Sequence, residues 1–279
     1  MKPDLGIRWV VALPFEAQLI RNRLQISTLV SQKPYRVFRN ADGQHWLVES
    51  GVGSNHAAAA TMYLHQVSQA QPWTAWINAG IAAHATLPLG TPCLIHQIHQ
   101  ASSGQVHYPT VVFPTECTRG RLITVDRPEA ECPEEAFYDM EGAAFFAIAS
   151  RLSSQELAML FKVVSDHGMG PETRIDLERL SKDFVASLDT LEPVVTALQE
   201  LSSAESERLG SPPALETLLS QMHVSVSQEH QLRDVLKRWN ARFPATCALT
   251  EVNHLSDCRS ILEFLNHRLS STPVQWSEA

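Results

Sequence analysis

From Ile7 to Leu201 the chain alternates short apolar runs with helical stretches, and that alternation admits few architectures. Ile7 to Leu13 is a near-continuous apolar run, as in a buried strand. Pro14-Phe15-Glu16 breaks it, and Pro14 suits the turn before a helix over Ala17 to Leu24. Tyr35 to Phe38 and His45 to Glu49 flank Asp42-Gly43, a good hairpin turn between paired strands. Ser50-Gly51-Val52-Gly53-Ser54-Asn55 then leads into a small-residue helix, Ala57 to Gln66. Trp73 to Asn78 reads as a strand ended by the small residues Ala79 to Ala83 and by His84. Further strands are expected at Pro92 to Ile98, Arg121 to Val125 and Leu160 to Val164. A polar connection covers Ala101 to Gly120, and an acidic loop covers Pro128 to Pro133. Leu180, Phe184, Leu188, Leu191 and Val195 place one apolar face on a long helix, Leu177 to Leu201. Strands and helices in this alternation predict an α/β protein, a three-layer α/β/α sandwich.

The composition changes after about residue 202. Ser202 to Pro213 is rich in Ser, Glu and Pro and reads as a linker. Beyond it, Leu215, Leu218 and Leu219, then Leu232, Val235, Leu236 and Trp239, then Ile261, Leu262 and Leu265 recur at helical spacing. The expected organisation is a domain over 1–202, followed by a linker and small all-α module of about three helices over 203–279.

Charge narrows the partners. With 22 Lys and Arg against 30 Asp and Glu the net charge is −8. That argues against a nucleic-acid partner, which needs clustered cations on phosphates, and suits a small-molecule partner. The five cysteines form no C-x-x-C pair and are expected as free thiols in a reducing cytoplasm. Met1-Lys2-Pro3-Asp4 is not followed by a long apolar run, and no stretch approaches the length of a membrane span, so neither a signal peptide nor a membrane partner is expected. His96 and His99 are three apart on a strand, which does not bring them to one face, and no metal site is expected.

Three acids stand where open α/β sheets place their ligands, at strand ends or helix starts. Glu16 follows the first strand. Asp166 follows the strand Leu160 to Val164, in Ser165-Asp166-His167-Gly168. Glu141 lies in Tyr138-Asp139-Met140-Glu141-Gly142-Ala143-Ala144, which runs into an apolar helix ending at Leu152. A carboxylate there is held at the edge of a core, where it needs a partner or a role. The plainer alternative for the last pair is a helix cap, with Asp139 capping and Glu141 complementing the dipole. The Gly51-Val52-Gly53 turn can present backbone N–H groups to an oxygen-rich ligand or be a tight structural turn.

Taken in order, Ala12-Leu13-Pro14-Phe15-Glu16, Ser50-Gly51-Val52-Gly53, Ile77-Asn78-Ala79-Gly80, Asp139-Met140-Glu141-Gly142-Ala143 and Val164-Ser165-Asp166 resemble the nucleoside phosphorylase superfamily. They look most like its hydrolase branch of methylthioadenosine/S-adenosylhomocysteine nucleosidases and futalosine hydrolases. The resemblance covers about residues 7 to 201. It implies a mixed central sheet, hydrolysis of the N-glycosidic bond of a purine nucleoside without a cofactor, and a homodimer. Position by position it implies that Asp166 contacts N7 of the base, Glu16 orients the attacking water, and Glu141 binds the ribose hydroxyls. Met140 is implied to pack on the ribose. Asp139, Ser50, Gly51, Gly80 and Ser165 are implied around the ligand, and His84, which replaces a small residue, is either a further contact or a packed or surface histidine. An Asp at 166 favours an adenine-type base, whereas Met140 to Phe145 looks closer to the futalosine type. The chain departs from the pattern in a short span between Gly80 and Asp126, and in Pro128 and Glu129, where relatives face the purine with an aromatic and an aliphatic residue. No Arg stands in Asn78 to His84, so water is favoured over phosphate as nucleophile. Arg21 and Arg23 are expected on the surface of the first helix. Phosphorolysis, or nucleoside binding without catalysis, are the alternatives.

Overall fold

The computed structural model describes residues 5–128, 131–168 and 176–273. These group into two compact units, Met1–Ser206 and Glu207–Ala279.

Among the described residues of the first unit ten strands form one sheet. They are β1 (Ile7–Val11), β2 (Thr28–Ser31), β3 (Arg36–Arg39), β4 (His45–Glu49), β5 (Ala75–His84), β6 (Pro92–Gln100), β7 (Val106–His107), β8 (Arg119–Thr124), β9 (Phe137–Asp139) and β10 (Ala158–Asp166). The helices are α1 (Pro14–Arg23), α2 (Ser54–Ser68), α3 (Gly142–Leu152) and α4 (Leu177–Leu209). The sheet is mixed. β1 lies parallel to β4 and β5, and β5 parallel to β10. The hairpin β3–β4 is antiparallel, in the expected register about Asp42-Gly43.

Residue alternation along each strand divides the core between two faces. Trp9 and Val11 of β1 pack with Ala17 and Ile20 of α1 and with Phe184, Leu188, Leu191 and Val194 of α4. Val10, one residue out of phase, packs on the opposite face with Ala60 and Leu64 of α2 and with Phe145, Phe146 and Ala149 of α3. Helices thus cover both faces of a mixed sheet, the expected α/β/α layering.

β5 shapes the rest. Its first half pairs with β1 on one side, Ile7↔Ala75 to Val10↔Asn78, and with β10 on the other. β1 then ends at Val11, and β5 gains a new neighbour, β9, only at Ala83↔Tyr138 and His84↔Phe137. The sheet closes on itself through β5, β10, β6, β8 and β9. Residues 79–82 face the interval between two departing neighbours. The small residues from Ala79 onward were expected to end the strand. They remain extended because β10 continues to pair with them as far as Ala83. The short strands β2, β7 and β9 lacked enough residues to show a period.

The second unit has its own core. α5 (Pro213–Gln221), α6 (Val226–Arg242), α7 (Ala248–Val252) and α8 (Cys258–Ser271) enclose Leu215, Leu218, Leu232, Val235, Leu236, Trp239, Ile261 and Leu265. Ser225 caps α6 in a reciprocal box with Gln228, and Asp257 caps α8 through Ser260 N. The expected three helices are joined by a fourth, the five-residue α7. The expected linker Ser202 to Pro213 is corrected, since α4 continues through it to Leu209. Ser and Glu there fold as helix: Ser206 bonds back to the Ser203 carbonyl, and Ser202 is buried with its hydroxyl donated to Trp73 O at 2.6 Å. Among the described residues no helix is long and apolar enough to cross a membrane.

Candidate active site

The interval along β5 is where the site forms. The N–H of Ile81 faces no strand there, and a buried donor must be satisfied. Glu16 supplies the acceptor. Pro14 starts α1 directly after β1, so Glu16 falls in its first turn and turns back over the sheet end. Its Oε1 accepts from Ile81 N at 2.8 Å and its Oε2 from Leu13 N at 2.9 Å. Gly80 makes room, because a Cβ at that position would stand 3.1 Å from Glu16 Oε1.

Burial pushes the Glu16 carboxyl up from 4.5 to about 7, against the two N–H donors and the Lys162 charge, which lower it; Glu141 adds to the rise. The folded chain therefore holds this proton more tightly than the unfolded chain. Below pH 4.5 the group does not affect stability. From 4.5 to 7 stability falls, and above 7 a cost of about 3 kcal/mol remains. Glu16→Gln shifts stability by a pH-independent amount and removes that slope. The expected outcome is that wild type loses about 3 kcal/mol relative to Glu16→Gln between pH 4.5 and 7.5, read by denaturant unfolding at each pH. A constant difference would place the Glu16 carboxyl in a normal, ionised state.

Glu141 is the N-cap residue of α3, at the helix start as expected, but its side chain makes no capping hydrogen bond. Its Oε1 accepts from Gly53 N at 2.7 Å and its Oε2 from Met140 N at 3.3 Å. The Gly51–Gly53 turn thus presents a backbone N–H to a protein carboxylate. Gly53 can do so at φ 104° because it lacks a side chain. Burial and neighbouring Asp139 both raise the Glu141 carboxyl above its ordinary range, while Lys162 opposes them.

Asp139 has the capping role. Oδ2 accepts from Gly142 N at 2.8 Å, and Oδ1 accepts from the Thr124 hydroxyl at 2.8 Å. The Thr124 oxygen in turn accepts from Ala143 N at 3.0 Å. Asp139 Oδ2 also pairs with Lys162 Nζ at 2.7 Å, both side chains 1% exposed. Burial alone would lower the Lys162 ammonium, but Asp139, Glu141 and Glu16 raise it, so it stays charged. Lys162 was missed in the sequence, although a lone lysine within the buried run Leu160 to Val164 was a usable signal for a hidden acid.

Asp166 closes the set at the end of β10. Gly168 N donates to its Oδ1 at 2.9 Å, and Ser165 Oγ lies 2.6 Å from its Oδ2. Both contacts fix the plane of the carboxyl group.

Between these groups lies a cavity of about 150 Å³. Glu16, Glu141, Asp166, Ser165, Asp139 and Met140 all line it, together with Val52, Ile81, Val125, Pro128 and Tyr138. Glu16 and Asp166 meet there because β1 and β10 both run parallel to β5 and carry them at the same end, while Glu141 arrives from β9, which runs antiparallel to β5. Four expected contacts are not in its wall. Ser50 bonds to Val11 O and Gly51 N to Ala12 O, which fixes the strand ends. Gly80 backs Glu16. His84 lies edge-on to Phe137, its Nδ1 accepting from Thr86 N and Leu87 N, with Nε2 3.9 Å from Glu135. Side chains alternate along a strand, so His84 points away from the face that Ala83 presents. Glu129 lies outside the described residues. Arg23 sits at the surface with Asp189 and Glu192, and Arg21 stacks over Phe38.

No protein-family model and no curated sequence matches this chain. Solved structures do. An MTA/SAH nucleosidase superposes with a TM-score of 0.55 at 19% identity, over 70% of this chain and 97% of that one. The MTA/SAH nucleosidase of Colwellia psychrerythraea, in complex with adenine, gives 0.53 at 18%, over 71% and 96%. Native futalosine hydrolase of Helicobacter pylori gives 0.53 at 12%, over 69% and 98%. The likeness is one of fold: nearly the whole of each of these proteins has a counterpart in this chain.

Proposed function

We propose that the first unit is an N-ribosyl hydrolase that cleaves the base from an adenosine-like purine nucleoside, with water as nucleophile. One observation carries the reading: Glu16, Glu141 and Asp166 line a single cavity at the strand ends, each held by its own hydrogen bonds. The fold shared with the MTA/SAH nucleosidases and futalosine hydrolase supports it.

Glycosidic cleavage builds positive charge on the sugar and negative charge on the departing base. Asp166, at the end of β10, shares or gives a proton to the base as the C1′–N bond breaks. Glu16 accepts a proton from water as the water oxygen bonds to C1′. A carboxyl at about 7 suits that task, since it is available as a base near neutrality without being fully committed to the ionised form. Glu141 lies nearer the glycine turn, where it accepts ribose hydroxyls and offsets the cationic sugar. Solvent then returns the proton to Asp166 and removes one from Glu16.

Water is favoured over phosphate by the charges. Among the described residues lining the cavity none is Lys or Arg, and the cation behind it, Lys162, is engaged by Asp139. The test is base release from a panel of purine and pyrimidine nucleosides, with and without phosphate. Release from adenosine-type substrates at a rate independent of phosphate is the expected result. Strict phosphate dependence with ribose 1-phosphate as product would identify a phosphorylase, and no release from any nucleoside would leave a binding protein.

A further inference from the structure

We infer that the first unit holds a second small-molecule site, away from the carboxyls, for a neutral aromatic compound with one hydrogen-bond acceptor, such as an aryl ketone. A cavity of about 230 Å³ lies between β1, β4, the end of α1 and α4. Trp9, Leu24, Leu188, Leu191 and Val195 supply its apolar wall. Glu16, in the first turn of α1, lines the strand-end cavity, whereas Arg23, in the last turn, lines this one, about 10 Å further along the helix axis. The second site is thus independent of whatever reaction the carboxyls perform.

One donor in the wall lacks an acceptor. Strand alternation turns Trp9 towards α1 and α4. Leu47 of β4 packs in the same layer, and His45, two residues before it, faces the same way. Trp9 Nε1, which can only donate, bonds to His45 Nδ1 at 3.2 Å. Nδ1 must therefore accept, and the neutral ring carries its hydrogen on Nε2. Burial favours that neutral form, aided by the Arg8 charge and opposed by Asp42. Among the described residues Nε2 meets no acceptor. The ring is partly exposed rather than sealed, so Nε2 remains open to a molecule in the cavity.

Size and charge define the occupant. An apolar cavity of about 150 Å³ is enough to bind benzene. The larger volume here admits a six-membered ring with a short substituent. The aliphatic and indole wall takes the ring, and a carbonyl oxygen on the substituent answers His45 Nε2–H. An anion is disfavoured, because Arg23 at the rim already pairs with Asp189 at 3.0 Å and with Glu192 at 2.9 Å. A cationic donor is disfavoured too, since it would place N–H against N–H at His45.

The test uses the full chain and two probes of one shape: acetophenone, and α-methylstyrene, in which a CH₂ group replaces the carbonyl oxygen. Titration followed by ligand-observed NMR is expected to show saturable binding of acetophenone with a Kd below about 1 mM. Val195→Phe, which fills the cavity, is expected to abolish binding of both probes. His45→Phe keeps a ring but removes the donor. It is expected to weaken acetophenone about tenfold and to leave α-methylstyrene within about twofold. Melting temperatures check that each variant folds. The wild type supplies a measurement free of substitution: the ¹⁵N signal of His45 Nε2 is expected to move further with acetophenone than with α-methylstyrene. Absence of saturable acetophenone binding by the wild type overturns the site, as does binding that survives in folded Val195→Phe. An equal loss of both probes in His45→Phe, or an Nε2 signal that responds equally to both, overturns the assignment of the acceptor.

Discussion

Asp166→Asn is expected to slow base release by about 10²–10⁴-fold, with the loss in kcat rather than KM. The amide has the same shape as the acid but cannot supply its proton. It also presents an NH₂ group to one of two donors that now face oxygens, Gly168 N or the Ser165 hydroxyl. Glu141→Gln is expected to lose about 10²–10³-fold, because the charge opposite the developing cation disappears while Gly53 N keeps an oxygen to bond. Single-turnover rates of base release, with each variant's melting temperature as control for folding, measure both. Wild-type rates in both variants would refute the roles given to these carboxyls. The two effects are not expected to add, since proton donation and charge stabilisation act in the same transition state.

Lys162→Met is expected to destabilise the first unit by about 3–5 kcal/mol, a large share of the stability of a domain. Methionine fills most of the space and suits an apolar strand, so packing is not the cause. The loss arises because Asp139 stays behind as a buried carboxylate, its Oδ2 still facing Gly142 N but without the ammonium 2.7 Å away. Glu141 and Glu16, which Lys162 also favours in the charged form, then hold their protons more tightly. Lys162→Met combined with Asp139→Asn is expected to recover about half the loss, since the amide oxygen still caps α3 and no charge remains unpaired. Denaturant unfolding of the four proteins in this cycle gives the coupling energy. Additive losses in the double variant would show that Lys162 and Asp139 act independently.

The Lys162–Asp139 pair lies beyond what local sequence carries. Glu16, Glu141 and Asp166 stood out because acids at the ends of apolar runs are conspicuous. The same reading missed Lys162, because its counter-charge lies 23 positions earlier in another element. The resemblance placed Ser50, Gly51 and Gly80 around a ligand, and small residues and turns permit such close approach. Permission says nothing of what approaches, and here it is Glu16 that meets Gly80, while Gly53 of the same turn bonds Glu141. His84 is the packed histidine of its two readings, for a related reason. Ending the strand at Asn78 hid the alternation that turns His84 towards Phe137 and Ala83 towards the cavity.

The amino-acid order alone determined the layered α/β architecture and the position of three acids at strand ends. Both follow from local periodicity, which a sequence carries in full. It also marked a separate helical unit near the C-terminus, though not where α4 stops. The tertiary structure decided that β5 exchanges β1 for β9 along its length and so leaves an unpaired interval for a cavity. It also decided that Asp139 answers Lys162 while Glu141 remains to face the cavity. Those outcomes depend on which strands become neighbours, and pairing between distant segments is a property of the folded sheet rather than of any stretch within it.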